Sequence, residues 1–287
     1  MKVVITGSKG FVGSHLIEKI KSKESLGYEI VKSNKDVNNT FEVGTLKSLV
    51  EDTDVVVHLA GANRASEEEL LRVNVIGTLN LLEAIKKYSR KKVKFIFASS
   101  FQVYNPNNNK VDEGSDVEPQ TVYGMSKKFS EDLIKFYSNK FGIKSVILRF
   151  SNIYGPGCKP NYNSVIATFC YNAVNNKVII VNDKDASIDF VFVEDVVDSI
   201  ISSISYNVVG DWDVFNICSG KLNSLQDIIN IIKKKINVNV EYGKLESENK
   251  FLMGNCKKME NLLKVSPGID FEENLLKTLE WYKNNVN

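Results

Sequence analysis

A tyrosine followed four residues later by a lysine is the pattern in this chain that could carry proton transfer. On a helix this spacing places the ammonium beside the phenol, where it stabilises the phenolate and lowers a pKa that starts near ~10. Such a phenol can donate a proton near neutral pH. Three pairs have the spacing: Tyr28 with Lys32, Tyr88 with Lys92, and Tyr123 with Lys127. The chain holds 11 tyrosines and is rich in lysine, so chance alone produces such pairs and their surroundings must decide between them.

Only the third pair opens a predicted helix. The first lies in a predicted strand, where four residues span roughly 13 Å, and the second crosses the end of a helix. The helix that begins at Tyr123 follows a strand ending in Ser99 and Ser100, at the carboxyl edge of a predicted parallel sheet, where ligands of doubly wound folds bind. A hydroxyl there can hydrogen-bond the same reacting oxygen. Tyr123 is therefore the candidate proton donor; the alternative is an exposed aromatic with a solvated lysine neighbour.

The elements that would position this pair follow from short apolar runs that alternate with amphipathic stretches. The runs predict strands at residues 3–6, 28–31, 54–60, 93–100 and 144–150, and the stretches predict helices at 12–22, 67–88 and 123–141. This alternation predicts an α/β fold with a Rossmann-type doubly wound parallel sheet.

After Gly155 the rhythm changes, and the rest of the chain predicts a second unit. A Gly/Pro/Asn-rich stretch leads into a helix at 164–175, a strand at 189–193 is expected to return to the sheet, and short helices with one strand follow Gly220. We expect a dinucleotide-binding domain of residues 1–153 plus 187–217. A smaller α/β substrate domain is expected from residues 154–186 plus 218–287.

The segment VVITGSKGFVGSHL predicts a phosphate cradle. Gly7, Gly10 and Gly13 lie between the first strand and the first helix, where backbone amides and the helix N-terminus face a site that no Cβ obstructs. The spacing is GxxGxxG, and its place in the first βαβ unit is what makes it informative. The alternative is a glycine-rich turn needed only for helix packing.

The segment KSNKD bears on the choice of cofactor. Asn34, between Ser33 and Lys35, stands where a dinucleotide-binding fold usually has an acid for the ribose 2′-hydroxyl, and Lys9 projects toward the same corner. A charge-assisted hydrogen bond to phosphate contributes roughly 1.5 to 3 kcal/mol, so two lysines could favour NADP by about two orders of magnitude. NADP(H) is therefore the predicted cofactor, with NAD(H) as the alternative. The lysines at 32 and 35 could instead be solvated turn residues.

Composition excludes several other classes of function. With 37 basic and 35 acidic residues the net charge is +2, which gives no field that would gather nucleic acid or a membrane surface. No apolar run approaches the ~18 residues that span a bilayer, and the first residues run directly into a strand, so a cytoplasmic location is expected. The four cysteines are isolated and only two histidines accompany them, so neither a metal site nor disulfides are expected.

The motifs together resemble those of a known family. TGSKGFVG (6–13), HLAGANR (58–64), NVIGTLNLLEA (74–84), FIFASSFQVY (95–104), YGMSK (123–127) and RFSNIYGP (149–156) follow the order seen in extended short-chain dehydrogenase/reductases that act on nucleotide sugars. NCKKMENLLKVSP and LEWYK extend the resemblance to the C-terminal region. HLAGANR and CKPNYNSVIATFCY (158–171) are most similar to the reductase half of capsule enzymes that make UDP-N-acetyl-L-fucosamine.

The resemblance implies roles for individual residues. The implied catalytic set is Ser100, Tyr123 and Lys127. The candidate cofactor contacts are Gly7, Ser8, Lys9, Gly10, Phe11, Val12, Gly13, Ser33, Asn34, Lys35, Leu59, Ala60, Gly61, Asn74, Ala98, Ser99, Tyr123, Lys127 and Phe150. The candidate contacts to sugar and diphosphate are Asn63, Arg64, Ser100, Phe101, Asn152, Lys159, Asn161 and Asn163. The family also implies a homodimer through the helices at 67–88 and 123–141.

Departures from the family narrow the chemistry. The 4,6-dehydratases carry an acid and a base directly after the active-site hydroxyl, where this chain has Phe101 and Gln102. The dual-function GDP-fucose synthases place an epimerising cysteine at the position of Phe101, and many 4-epimerases place an arginine at that of Ile188. We therefore expect an NADPH-dependent 4-ketoreductase of a UDP-linked 2-acetamido-2,6-dideoxy sugar. The alternatives are an NAD-dependent 4-epimerase and a dinucleotide-sensing regulator without turnover.

Overall fold

A parallel six-stranded sheet forms the centre of the structure, a computed structural model that describes residues 1–32, 42–107, 109–162, 164–183, 186–243, 252–268 and 270–286. The strands of the described chain are β1 Lys2–Thr6, β2 Glu29–Lys32, β3 Val55–His58, β4 Lys94–Ser100, β5 Lys110–Val111, β6 Lys144–Phe150, β7 Asn152–Tyr154, β8 Ile179–Val181, β9 Ser187–Phe192, β10 Trp212–Ile217, β11 Leu222–Ser224, β12 Val240–Tyr242 and β13 Met253–Gly254. The strand order of the central sheet is β2-β1-β3-β4-β6-β10.

Helices cover the sheet on both sides. The α-helices of the described chain are α1 Phe11–Ser22, α2 Lys47–Val50, α3 Glu67–Leu70, α4 Gly77–Tyr88, α5 Val122–Phe141, α6 Val165–Val174, α7 Val193–Ser205, α8 Leu225–Lys233 and α9 Phe271–Asn285. Val3, Val4 and Ile5 are fully buried, as expected for a strand packed on both faces. The predicted Rossmann-type α/β fold is confirmed.

The predicted helix at 67–88 contains a π-helical segment. Residues Leu71–Ile76 join α3 to α4 and widen the turn around Asn74. The Asn74 carbonyl accepts hydrogen bonds from the hydroxyls of Thr78 (2.6 Å) and Ser130 (2.9 Å). Because Ser130 lies on α5, this hydrogen bond fixes the π-helical segment between α3 and α4 against α5, the helix that carries Tyr123.

Two predictions for the second half of the chain are wrong. The strand predicted at 189–193 forms as β9, but it pairs with β7 and β11 in a separate three-stranded sheet, and β10 occupies the last position of the central sheet. Beyond Gly220 the described residues form three short strands where one was expected: β11 pairs with β9, β12 with β8 and β13 with β5. Pairings between two- and three-residue strands leave too little periodicity to be read from sequence.

The topology sets where a ligand can bind. β1 lies between β2 and β3, so the chain crosses from one side of the sheet to the other at the carboxyl end of β1, and such a switch point opens a crevice. Thr6 pairs with His58 and Ser100 pairs with Phe150, which places the ends of four strands at one edge. In the described residues, no helix is both long and apolar enough to cross a membrane.

Candidate active site

A cavity of about 700 Å³ lies at this edge of the sheet. It joins the loop after β1 to the start of α5 and to the stretch that follows β7. The structure brings many of the predicted site residues to its wall: Gly7, Lys9, Gly10, Phe11, Val12, Gly13, Leu59, Gly61, Asn63, Arg64, Ala98, Ser99, Ser100, Tyr123, Lys127, Phe150, Asn152 and Lys159.

One end of the cavity is built from glycine backbone. Gly7 has φ of +68°, and a Cβ on it would lie 2.7 Å from the amide nitrogen of Ala60. A Cβ on Gly13 would overlap the carbonyl oxygen of Gly7, and one on Gly10 would lie 3.2 Å from the same oxygen. The loop thus closes tightly onto the N-terminus of α1, where amide groups favour an anion. This cradle fits a pyrophosphate, as a dinucleotide cofactor requires.

The other end is built from side chains on β4 and α5. Thr121 caps α5, because its hydroxyl accepts a hydrogen bond from the Gly124 amide (3.0 Å) and donates one to the side-chain oxygen of Gln102 (3.0 Å). A Cβ on Gly124 would overlap the carbonyl oxygen of Gln102, so glycine allows the helix to approach the turn after β4. This approach carries Tyr123 to the end of the strand that bears Ser100.

Burial, more than charge, sets the proton affinity of Tyr123. Burial raises the pKa of Tyr123 to about 12, against hydrogen bonds with the side chains of Ser100 and Asn63, which lower it. The expectation that the lysine makes this phenol acidic is wrong for the structure as it stands. The Lys127 ammonium donates to the Ala98 carbonyl (2.9 Å) and lies 5.8 Å from the centre of the Tyr123 ring.

Lys127 itself is buried beside the sheet. Its side chain is 5% exposed, and burial lowers its pKa to about 8, although the charge of Glu131 opposes the shift. Its ammonium also lies 4.9 Å from the centre of the Phe97 ring. The group therefore keeps its charge at neutral pH and loses it about one unit higher.

Asn74 holds the loop after β3 against α5. Its side-chain oxygen accepts from the Ala62 amide (2.8 Å), and its side-chain nitrogen donates to the Ala62 carbonyl (2.9 Å) and to the Ser126 hydroxyl (2.9 Å). A Cβ on Gly61 would lie 3.1 Å from Asn74 Oδ1 and 3.2 Å from Lys127 Nζ. Asn74 is thus a positioning residue that the structure places behind Gly61.

A buried ion pair supports the strand beneath the site. The Glu131 carboxylate, fully buried, accepts hydrogen bonds from Ser99 Oγ (2.6 Å) and from Arg149 Nε (3.0 Å) and Nη2 (2.7 Å). Burial alone would lower the pKa of Arg149, but its contacts with Glu131 raise it. The Tyr104 ring stacks on this guanidinium at 4.7 Å. Sequence reasoning missed this support, since it joins helix α5 to β4 and β6 only in the folded chain.

Five predicted contacts lie away from the cavity wall. Phe101 is buried among Val103, Tyr104 and Val111, so its ring cannot face a ligand there. Asn161 is exposed, and its backbone amide donates to the Thr168 hydroxyl. The remaining three, each less than a tenth exposed and behind the wall, are Ser8, Ala60 and Asn74. Four further predicted contacts lie outside the described residues: Ser33, Asn34, Lys35 and Asn163.

Seven residues of the wall had no predicted binding role. They are Ala62, Gln102, Ser151, Ile153, Gly157, Cys158 and Tyr162. Tyr162 lines the same cavity as Tyr123 and acts to raise the pKa of that phenol, and the Lys159 ammonium lies 5.5 Å from the centre of the Tyr162 ring. Its position inside GPGCKPNYN, between predicted contacts, was the signal that could have identified it.

Comparison with known proteins identifies the family of this chain. A family model described as the NAD dependent epimerase/dehydratase family matches residues 3–218. A protein of Methanocaldococcus jannaschii named putative UDP-glucose 4-epimerase is 31% identical over 309 aligned positions, which cover 99% of each chain. A protein of Pseudomonas aeruginosa named UDP-2-acetamido-2,6-beta-L-arabino-hexul-4-ose reductase is 32% identical over 198 positions. That match covers 69% of this chain and 48% of the relative, so it spans about half of that protein.

A solved structure shares the whole fold. The structure of RMD from Pseudomonas aeruginosa, complexed with NADPH, superposes with a TM-score of 0.88 at 24% identity, and the match covers 99% of this chain and 98% of that chain. At this level of identity the similarity concerns the fold.

Proposed function

The chain belongs to the NAD dependent epimerase/dehydratase family, and from this premise we propose that it is an NADPH-dependent 4-ketoreductase of a nucleotide sugar. The proposed substrate is a UDP-linked 2-acetamido-2,6-dideoxy-4-keto-hexose, and the product a 6-deoxy amino sugar of the L-rhamnosamine, L-talosamine or L-fucosamine type. One observation carries the proposal: a phenol that keeps its proton faces the same cavity as a glycine cradle for a dinucleotide.

The cofactor would be held by Gly7, Gly10 and Gly13 at its pyrophosphate, with Lys9 beside them on the cavity wall. Lys32 ends β2 next to Ile5 and is the first residue of KSNKD, the segment whose lysine-rich sequence favours a 2′-phosphate. A reduced nicotinamide cofactor, when bound, supplies hydride to a carbonyl carbon. NAD(H) is the alternative cofactor.

Tyr123 is the proposed proton donor. With its pKa raised to about 12, the phenol is protonated at neutral pH and can give a proton to the oxygen of a reduced ketone. Ser100, which interacts with the same phenol, would hold that oxygen by a hydrogen bond. Lys127, which lines the same wall with its ammonium 5.8 Å from the ring centre, would orient the ribose of the cofactor. Reduction uses the protonated phenol, whereas an epimerase would first use the phenolate to take the proton of a sugar hydroxyl.

Dehydration and ring epimerisation are disfavoured by the residues after Ser100. Phe101 is buried away from the cavity, and Gln102, which lines it, has a neutral amide whose oxygen already accepts from the Thr121 hydroxyl. Neither side chain can add or remove the protons that these reactions move. Simple reduction asks for no further acid or base.

The far side of the cavity suits a nucleoside diphosphate. Arg64 and Lys159 bring positive charge to the wall, and Asn63 and Asn152 bring amide groups that can bind sugar hydroxyls. The 32% identical relative of Pseudomonas aeruginosa is named as a reductase of a 4-keto UDP-sugar, which supports this substrate class. A role in polysaccharide biosynthesis is part of the proposal and rests on the resemblance of HLAGANR and CKPNYNSVIATFCY.

The test uses 4-keto-6-deoxy intermediates made enzymatically from UDP-N-acetylglucosamine. Loss of the absorbance of reduced nicotinamide is followed with NADPH and then with NADH. We expect oxidation of NADPH that depends on the keto sugar and a lower rate with NADH. The proposal is rejected if no intermediate causes oxidation of either cofactor while a dye-labelled dinucleotide still binds.

The second candidate is an NAD-dependent 4-epimerase, because one relative that matches over the full length is named putative UDP-glucose 4-epimerase. An epimerase retains its NAD through each cycle. Protein purified from cells would then contain equimolar NAD and interconvert UDP-glucose and UDP-galactose without added cofactor. A reductase would exchange its cofactor and fail to interconvert them.

We also propose a homodimer formed through the helices at 67–88 and 123–141. Their outer faces expose large apolar side chains, among them Ile76 (43%), Phe129 (48%) and Phe136 (50%). Exposed apolar clusters of this kind mark association surfaces. Light scattering should give a molar mass of twice that of one chain, and Phe129→Glu should reduce it to the mass of a single chain. A monomer at all concentrations would refute the dimer.

The two-domain division remains a proposal, as does a cytoplasmic location. The proposed dinucleotide-binding unit (1–153 plus 187–217) supplies the glycine loop and Tyr123, and the proposed substrate unit (154–186 plus 218–287) supplies Lys159 and Tyr162. The wall of the cavity thus combines residues from both.

A further inference from the structure

Cys218 and Cys256 come together behind the active site. Cys218 follows β10 and is fully buried, while Cys256 follows β13 and is partly buried. Both pack against the apolar cluster that contains Phe101 and Tyr104. The two side chains lie close together, each sulfur facing a glycine two residues from the other cysteine, although 38 positions separate the cysteines in the sequence.

The backbone around both cysteines is fixed to one carboxylate. Asp189 accepts hydrogen bonds from the amides of Ser219 (2.8 Å) and Gly220 (3.1 Å) on one segment and from Gly254 (3.0 Å) on the other. Asp189 is 1% exposed, so this bridge is in the protein interior. The two segments are therefore held side by side before any sulfur reacts.

Glycines open the space that the sulfurs occupy. A Cβ on Gly254 would overlap Cys218 Sγ, and a Cβ on Gly220 would lie 3.2 Å from Cys256 Sγ. Each glycine lies two residues from one cysteine and faces the sulfur of the other. This exchange lets the two backbones approach closely, as a disulfide requires.

The pKa values of the two thiols shift in opposite directions. The hydrogen bond with Cys218 lowers the pKa of Cys256, against burial and the nearby Glu260 carboxylate (3.7 Å), which raise it. The pKa of Cys218 is raised, first by the same hydrogen bond and then by burial. Cys256 is thus the better nucleophile, with Cys218 as its neighbouring thiol.

We propose that Cys218 and Cys256 form an oxidation site at which hydrogen peroxide closes a disulfide. The Cys256 thiolate attacks one peroxide oxygen, the O–O bond breaks, and with one proton taken up the products are a sulfenic acid and water. The Cys218 sulfur then attacks the Cys256 sulfur, the S–O bond breaks, and the thiol proton leaves with hydroxide as a second water. Two thiols lose two electrons in total, and one peroxide gains them. The site lies outside the proposed reductase chemistry.

The other two cysteines provide an internal contrast. Burial raises the pKa of Cys158 to about 11 and that of Cys170 to about 12. Neither has a thiolate at neutral pH, so neither should react at the rate of Cys256.

The test treats the reduced full-length protein with hydrogen peroxide, removes the oxidant and alkylates the remaining thiols under denaturing conditions. We expect the four free thiols to fall to two. Peptide mapping should find the peptides of residues 218 and 256 joined by a bond that dithiothreitol breaks. Closing the ring restricts the unfolded chain, so the melting temperature should rise by roughly 5 °C.

Cys256→Ser and Cys170→Ser form the matched pair of variants. Cys256→Ser should keep all of its remaining thiols after peroxide, and Cys170→Ser should still lose two. The proposal fails if all four thiols of the parent protein are alkylated after peroxide treatment. It also fails if Cys256 gains oxygen atoms while Cys218 is recovered as a free thiol. Both readouts come from the parent sequence and do not depend on the folding of a variant.

Discussion

The two ends of the cavity are built by different means. At the glycine end, backbone atoms form the wall and the essential property of each residue is the absence of a Cβ. At the reaction end, side chains from β4 and α5 form the wall, and each is held by partners that are themselves buried and hydrogen-bonded. The first arrangement depends on local chain geometry, and the second depends on how three or four distant segments pack.

This difference predicts different failures. A substitution at the glycine end should weaken binding of the cofactor and leave the chemistry of bound substrate intact. A substitution at the reaction end should leave binding intact and slow the chemistry, or should destabilise the fold when it removes a buried partner. The following changes test the contrast, from the largest expected effect to the smallest.

Tyr123→Phe should have the largest effect, on the chemical step alone. Loss of the general acid should lower kcat about a thousandfold, which corresponds to about 4 kcal/mol of transition-state stabilisation. The dissociation constant for NADPH, measured by calorimetry, should change little, because the glycine end is untouched. Tyr88→Phe is the control: it has the same spacing to a lysine but ends α4, and it should keep full activity. Unchanged kcat in Tyr123→Phe would remove the proposed proton donor.

Glu131→Gln should destabilise the fold under the reaction end. The substitution leaves the Arg149 charge, 2% exposed, without its carboxylate, at a cost of about 3 kcal/mol in the free energy of unfolding. Asp132→Asn is the matched control, because the adjacent carboxylate forms a surface pair with Lys128 (2.5 Å) and should lose less than about 0.5 kcal/mol. Urea unfolding measures both. Equal losses would mean that the buried pair adds no stability of its own.

Gly13→Ala should act on the glycine end. The new methyl group would overlap a backbone carbonyl that cannot rotate away, so the loop must shift. The strain of this shift should cost about 2 kcal/mol, which corresponds to roughly thirtyfold weaker binding of NADPH. Gly44→Ala is the control, because a Cβ there meets open space within the described residues. If Gly13→Ala lowered kcat at saturating NADPH more than it weakened binding, the division between the two ends would be wrong.

The same contrast explains what the sequence could predict. The glycine spacing, the strand before it and the helix after it are local, so the cradle and five of the six strands of the central sheet followed from pattern. The helix that opens at Tyr123 was also local, and so was the strand that ends at Ser100. Their meeting was expected only because parallel strands end at one edge.

What could not be predicted depends on long-range packing. The raised pKa of Tyr123 comes from burial that the Tyr–Lys spacing does not reveal. The pairing of β9 with β7 and β11, the inward turn of Phe101 and the Cys218–Cys256 contact all join segments whose order in sequence says nothing of distance. At these places contacts with residues distant in sequence determine the positions of the side chains and override local propensity.

A buried histidine joins the two ends. His58 Nδ1 lies 2.7 Å from Thr6 Oγ1, at the last residue before the glycine loop, and its Nε2 lies 3.1 Å from Thr78 Oγ1. Thr78 gives its hydroxyl hydrogen to the Asn74 carbonyl (2.6 Å), so it can only accept from Nε2–H, and Nδ1 must accept from Thr6. The neutral ring with its hydrogen on Nε2 is thus the form that fits both threonines.

This ring should make the fold sensitive to mild acid, with the smallest effect of the set. Burial, with the nearby charge of Lys127, lowers the pKa of His58 from 6.5 to about 3. Between these two pH values the imidazole is protonated in the unfolded chain and neutral in the folded chain. Stability from this group is present above pH 6.5 and is lost as pH falls, by about 1 kcal/mol between pH 6.5 and 5.5. Urea unfolding at the two pH values measures the loss, and His58→Asn should reduce it because no proton is then taken up at this position. An equal loss of stability in His58→Asn would show that protonation of this ring is not the cause of the pH dependence.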